Sequence, residues 1–152
     1  MDSKMSLTVN ELMVKFCISV NCVLTNDLSL LENNVNERTI SNKLASYLQK
    51  EFPDWNVDSE YNRDRSRIKK RADGSPFTPD IIVHKRGTKS NLIMVEVKKS
   101  NGRNNDEENR LKEATLEKYN YKLGVFITFN VLKNSCLPPL IKFYSKGREI
   151  KQ

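Results

Sequence analysis

The sequence is poor in the residues that staple a fold together. Its three cysteines, Cys17, Cys22 and Cys136, are odd in number and form no C-x-x-C pair, which argues against a disulfide framework and a zinc site and for reduced thiols in a cytoplasmic protein. There is one histidine, His84. No apolar run is long enough to cross a bilayer. The most apolar stretch, "LMVKFCISVNCVL", is interrupted by Lys15 and Asn21 and followed by no small-residue cleavage site, so it reads as an amphipathic core helix rather than a signal peptide. No internal repeat appears at any period. Acidic residues are outnumbered, 19 Asp and Glu against 26 Lys and Arg, leaving a net charge of +7.

What is present suits a soluble globular protein, with 38% hydrophobic and 30% charged residues. A length of 152 residues is most simply one domain, read as an N-terminal helical extension over 1–33 and a core over 34–145. The basic excess favours a polyanionic partner, either nucleic acid or an acidic membrane surface.

Periodicity places the elements. Residues 8–32 read as a helix with a loop, in which Leu12, Phe16, Ile18/Ser19 and Val23 follow one face. In "NNVNERTISNKLASYLQKEFPDW", Asn34 stands three residues before Glu37, the spacing of a capping box, and Ile40, Leu44, Tyr47 and Leu48 make an apolar stripe that ends at Pro53. "WNVDSEYN" alternates as a strand. Two more strands are expected within "FTPDIIVHKRGTKSNLIMVEVKKS", then a helix in "DEENRLKEATLEKYNY", and strands in "LGVFITFN" and "LIKFYSKG". The order α-α-β-β-β-α-β-β implies an α/β fold with a mixed β-sheet flanked by helices.

The strands of residues 77–100 carry charge where a buried strand should have none, and an unpaired buried charge costs several kcal/mol. With a turn near Gly87 and Thr88, pairing His84 with Leu92 sets Asp80 opposite Glu96, on directly opposed positions that share a face. Alternation puts Glu96 and Lys98 on one face and Val95 and Val97 on the other. Two carboxylates so close repel unless a proton or a cation lies between them. A hard divalent cation, Mg²⁺ or Mn²⁺, takes such oxygen ligands, and its waters suit hydrolysis of a phosphodiester, with Lys98 orienting or deprotonating the water. The competing reading is an ion pair of Lys98 with Glu96 or Asp80 at a sheet margin.

Pro79-Asp80, followed after fifteen residues by Glu96-Val97-Lys98, resembles the signature of the PD-(D/E)XK nuclease superfamily, the restriction-endonuclease-like fold, and its small bacterial members. The resemblance covers roughly residues 35–145, in the order of that fold's core. It implies a metal-dependent nuclease in which Asp80 and Glu96 bind Mg²⁺ or Mn²⁺ and Lys98 is the catalytic lysine. It also implies that Glu37, on the preceding helix, adds a further acid to the metal site. Glu37 has a second reading, as the acid of the capping box. Glu60 reads as an exposed strand acid, and His84 as a solvent-facing turn residue.

Between the first strand and Asp80 lies a basic loop with Arg63, Arg65, Arg67, Lys69, Lys70 and Arg71, bracketed by Tyr61 and Phe77. Its expected role is phosphate contact without sequence preference, weakening as salt rises. The expectation is therefore a cytoplasmic Mg²⁺-dependent nuclease acting on DNA, with a homodimer as the simplest way to cut both strands of a duplex. The alternatives are a catalytically inactive nucleic-acid-binding module of the same fold, or a scaffold recognising acidic protein surfaces.

Overall fold

The computed structural model describes residues 6–61, 63–64, 67–68, 78–102 and 106–151. Three helices come first: α1 (Val9–Asn26), the short α2 (Leu28–Glu32) and α3 (Glu37–Glu51). Strand β1 (Asn56–Ser59) follows, then the two-residue strands β2 (Arg63–Asp64) and β3 (Arg67–Ile68), β4 (Ile81–His84) and β5 (Asn91–Lys99). Helix α4 (Glu107–Ala114) leads to β6 (Leu123–Phe129), a 3₁₀ turn at Leu132–Asn134, β7 (Leu140–Ser145) and β8 (Arg148–Ile150). No described helix is long and apolar enough to cross a membrane.

The expected element order is corrected at three places. The loop after α1 contains a helix of its own, because Leu31 is buried against the core. The basic loop holds the small antiparallel β2–β3 hairpin. A last strand, β8, pairs with β7 across a tight turn at Gly147, whose φ of +79° favours glycine. The expected capping box between Asn34 and Glu37 does not form, since Glu37 accepts from the Lys99 N–H instead. Asn36, not Asn34, caps α3, accepting a hydrogen bond from the Thr39 N–H at 2.8 Å, while Asn34 sits in the preceding turn with φ +51°.

Six strands form one mixed sheet in the order β1-β4-β5-β6-β7-β8. Only β5 and β6 run parallel, and α4 is the crossover such a pair requires. One face of the sheet, with Ile81, Val83, Ile93, Val95, Val97 and Val125, packs on α1 and α3. There Leu12, Phe16, Val20 and Val23 of α1 and Ile40, Leu44 and Leu48 of α3 are buried, and Phe16 meets Phe143 edge to face with ring centroids 6.1 Å apart. The other face, with Ile82, Met94, Phe126 and Tyr144, packs on Leu111 and Ala114 of α4 and on Tyr119 and Tyr121. Gly124 of β6 lets α4 come close, since a Cβ there would lie 3.3 Å from the Leu111 carbonyl oxygen.

Candidate functional site

The register of β4 and β5 builds the site. Ile81 pairs with Val95, Ile82 with Met94 and Val83 with Ile93, so continuing the alignment by one residue brings Asp80 level with Glu96. A bulge after Val83 shifts His84 onto Asn91, correcting the expected His84–Leu92 pair at the far end only. Because β4 begins at Ile81, β5 runs beyond Val95 without an antiparallel neighbour, and its backbone donors need other acceptors. Two acids supply them. Asp80 Oδ2 accepts from the Val97 N–H at 2.8 Å, and Glu37 Oε2, reaching over from the first turn of α3, accepts from the Lys99 N–H at 3.1 Å.

Glu96 faces the other way from Val95 and Val97, toward α4, and is buried with 2% exposure. The register sets it level with Asp80 across the two strands, and the two carboxyl groups influence each other's ionisation. Burial pushes the Glu96 carboxyl well above the usual carboxylate range, and the charge on Asp80 pushes it further. Asp80 is raised too, first by burial, although the Val97 N–H and Glu96 oppose this and Glu37 adds to it. Both carboxyl groups are thus harder to ionise than a free carboxylate. Glu96 Oε1 is buried with no hydrogen-bond partner, and so is Ser41 Oγ of α3. Glu37, Ser41 and Asp80 together line a cleft of about 220 Å³.

Helix α4 contributes two residues that sequence reasoning missed. Glu107, 1% exposed, forms an ion pair with Lys98 at 2.9 Å. Arg110 bridges the acids, 3.4 Å from Glu96 Oε2 and 3.6 Å from Glu107 Oε1. Burial works against the Lys98 charge, but the bond and charge of Glu107 outweigh it and raise the Lys98 pKa above that of an ordinary lysine. Lys98 is therefore an ammonium donor, and its partner Glu107 is neither of the acids, Glu96 and Asp80, that the competing ion-pair reading named. The available signal was the i, i+3 spacing of Glu107 and Arg110, which puts both on one face of the crossover helix.

The remaining candidates fall elsewhere. Glu60 is exposed at the end of β1, paired with Arg38 at 3.0 Å, while its N–H binds the Asp80 carbonyl. His84 is not solvent-facing. It is 3% exposed, with Nε2 2.7 Å from Asp58 Oδ2 and its ring 4.6 Å from that of Tyr61. Of the basic loop, Arg63 and Arg67 lie on the β2–β3 hairpin, while Arg65, Lys69, Lys70, Arg71 and Phe77 lie outside the described residues.

The donor set suits a hard cation: carboxylate oxygens, two of them mutually repelling and one orphaned. Among the described residues, no group of three or more His, Cys, Asp or Glu side chains is drawn tightly enough to hold a metal by itself. A site built on Asp80 and Glu96 would thus complete its ligand shell with water and phosphate, as Mg²⁺ commonly does. No family model, no curated protein and no solved structure matches this chain.

Proposed function

We propose that this protein is a metal-dependent phosphodiester hydrolase of the PD-(D/E)XK type, acting on DNA. The observation that carries the reading is the Asp80–Glu96 pair, level across β4 and β5, with Glu96 buried and its Oε1 unpartnered. A fold seeking only stability would replace such a pair, because buried like charges oppose folding. Mg²⁺ or Mn²⁺ held by Asp80 and Glu96, with Glu37 alongside, would supply charge neutralisation and a water of lowered pKa.

The chain's own groups do the rest. The Val97 and Lys99 N–H groups fix the Asp80 and Glu37 carboxylates at the end of β5. Lys98, kept charged by Glu107, donates to a phosphoryl oxygen as negative charge builds there. Glu107 and Arg110 act as positioning residues, one aiming the ammonium and the other balancing Glu96.

The test is a cleavage panel of single- and double-stranded DNA and RNA, with Mg²⁺, with Mn²⁺ and with chelator. Cutting that needs the metal and disappears in Asp80→Ala, Glu96→Ala and Lys98→Ala supports the reading. Equal cutting by wild type and variants would assign it to a contaminant, and no metal-dependent cutting of any substrate would overturn the reading. A second reading is a nucleic-acid-binding module of the same fold without catalysis. It is favoured by one observation: the two cations nearest the acids, Lys98 and Arg110, are already spent on Glu107 and Glu96.

A further inference from the structure

The residues that α3 buries, Ile40, Ser41, Leu44 and Leu48, follow a helical stripe in which only Ser41 is polar. Glu37 stands one turn before it on the same face. Ser41 is 6% exposed, and its Oγ has no hydrogen-bond partner. Helical serines commonly turn the hydroxyl back to a carbonyl three or four residues earlier. Two others in this protein do so. Ser19 Oγ donates to the Lys15 carbonyl at 3.1 Å, and Ser46 Oγ to the Lys43 carbonyl at 2.6 Å. Close packing of α3 on the sheet does not require the Ser41 hydroxyl, since alanine would fill the place without stranding a polar atom.

Ser41 lines the cleft of about 220 Å³ that Glu37, Arg38, Glu60 and Asp80 also line. Three acids there face one arginine, and Arg38 is already paired with Glu60 at 3.0 Å. Glu37 and Asp80 each give one oxygen to a β5 N–H, which fixes both carboxylates on the cleft wall. Such a place repels an anion and attracts a cation with its waters. Two carboxylates are few ligands for Mg²⁺ or Mn²⁺, which keep several waters. Hydrogen bonds to those waters therefore help decide how firmly the ion is held.

We infer that Ser41 is a positioning residue for a divalent cation in this cleft: Glu37 and Asp80 attract the ion, and Ser41 Oγ accepts a hydrogen bond from one of its waters. This role rests on the hydrolase reading for the presence of the ion. Ser41 acts through the water and does not touch the substrate. The hydroxyl gains the partner it lacks, and a polar residue in an apolar stripe gains a reason.

The experiment titrates Mn²⁺ into the full chain without nucleic acid, reading free Mn²⁺ by electron paramagnetic resonance, and melts each protein in chelator. Ser41→Ala is expected to weaken Mn²⁺ binding about tenfold. The same variant is expected to melt higher than wild type in chelator, because a stranded hydroxyl is gone. A purely structural serine would move the melting temperature and leave Mn²⁺ affinity alone. Ser46→Ala, which removes a partnered hydroxyl from the same helix, is expected to bind Mn²⁺ as wild type does. The role is overturned by a wild type that binds no Mn²⁺, by unchanged affinity or a lower melting temperature in Ser41→Ala, or by an equal loss of affinity in Ser46→Ala. The two readings fail separately: Ser41-dependent Mn²⁺ binding in a protein that never cuts removes the hydrolase and keeps the positioning role. Metal-dependent cutting with unchanged Mn²⁺ affinity in Ser41→Ala does the reverse.

Discussion

Strand β4 ends on His84 and is preceded by Asp80, and these two ionisable residues have opposite electrostatics. At its last residue, His84 lies against Asp58, which is also gripped by Arg86 through Nε at 2.9 Å and through a second bond at 2.5 Å. Arg86, with His84 assisting, holds the Asp58 carboxyl below the usual range. At the other end, Asp80 faces Glu96, both carboxyl groups are raised, and an oxygen is left without a partner. A half-buried acid matched by the largely exposed Arg86 and by the buried His84 ties the edge strand β1 to β4. Neighbouring carboxyl groups between β4 and β5, only partly offset by Arg110, oppose folding and so point to chemistry.

The comparison breaks most readily on activity. Asp80→Ala, Glu96→Ala and Lys98→Ala are expected to lower metal-dependent cleavage by about 10³-fold. Asp58→Ala leaves cleavage rates unchanged, read on the same substrate. Loss of activity in Asp58→Ala equal to that in Glu96→Ala would erase the distinction between the two ends.

Stability should move the opposite way. Asp58→Ala is expected to destabilise the fold by about 2 kcal/mol, because it strips the buried His84 of a partner. In chelator, Glu96→Gln should instead stabilise it by about 1 kcal/mol, since a neutral amide removes the repulsion with Asp80. Urea melts of both variants check the two signs together.

The pH dependence sharpens the same contrast. Asp58 has a folded pKa below its unfolded value of about 3.9, so its contribution is fully present above that value and is lost as pH falls through the lower folded pKa. Glu96 has a folded pKa above its unfolded value of about 4.3. The folded state therefore binds more protons in that window, and stability rises as pH falls from the folded pKa toward about 4.3. Melting curves in chelator should show the mild-acid gain shrink in Glu96→Gln, leaving the part due to Asp80, and the strong-acid loss shrink in Asp58→Asn.

The smallest effect is expected at Gly102. A Cβ there would stand 2.9 Å from Glu37 Oε2 and 3.1 Å from the Lys99 carbonyl oxygen. Gly102→Ala should destabilise the fold by about 1 kcal/mol by displacing the Glu37 carboxylate from the Lys99 N–H, measured by thermal melting.

Much of this was legible along the chain because it depends on local spacing. The apolar stripe Ile40, Leu44 and Leu48 marks α3, and all three are buried. Alternation in β5 separates Val95 and Val97 from Glu96 and Lys98, whereas the register that puts Asp80 level with Glu96 was an assumption that holds only because the bulge after Val83 lies beyond it. Long-range partners were not legible. Asn34 and Asn36 offer the same cap chemistry, and the approach of the chain to α3 selects the second. His84 looks like a turn residue until β1 brings Asp58 alongside it, and β8 is too short to announce itself without β7 to pair with. Glu107 could be foreseen as a helix-start acid favoured by the dipole, but only the crossover of α4 over β5 places it on Lys98. The sequence by itself determined which side chains share a strand face or a helix stripe, because backbone periodicity is local. The tertiary structure alone decided which charges are neutralised, because that depends on which distant segments supply the counter-charge and exclude water.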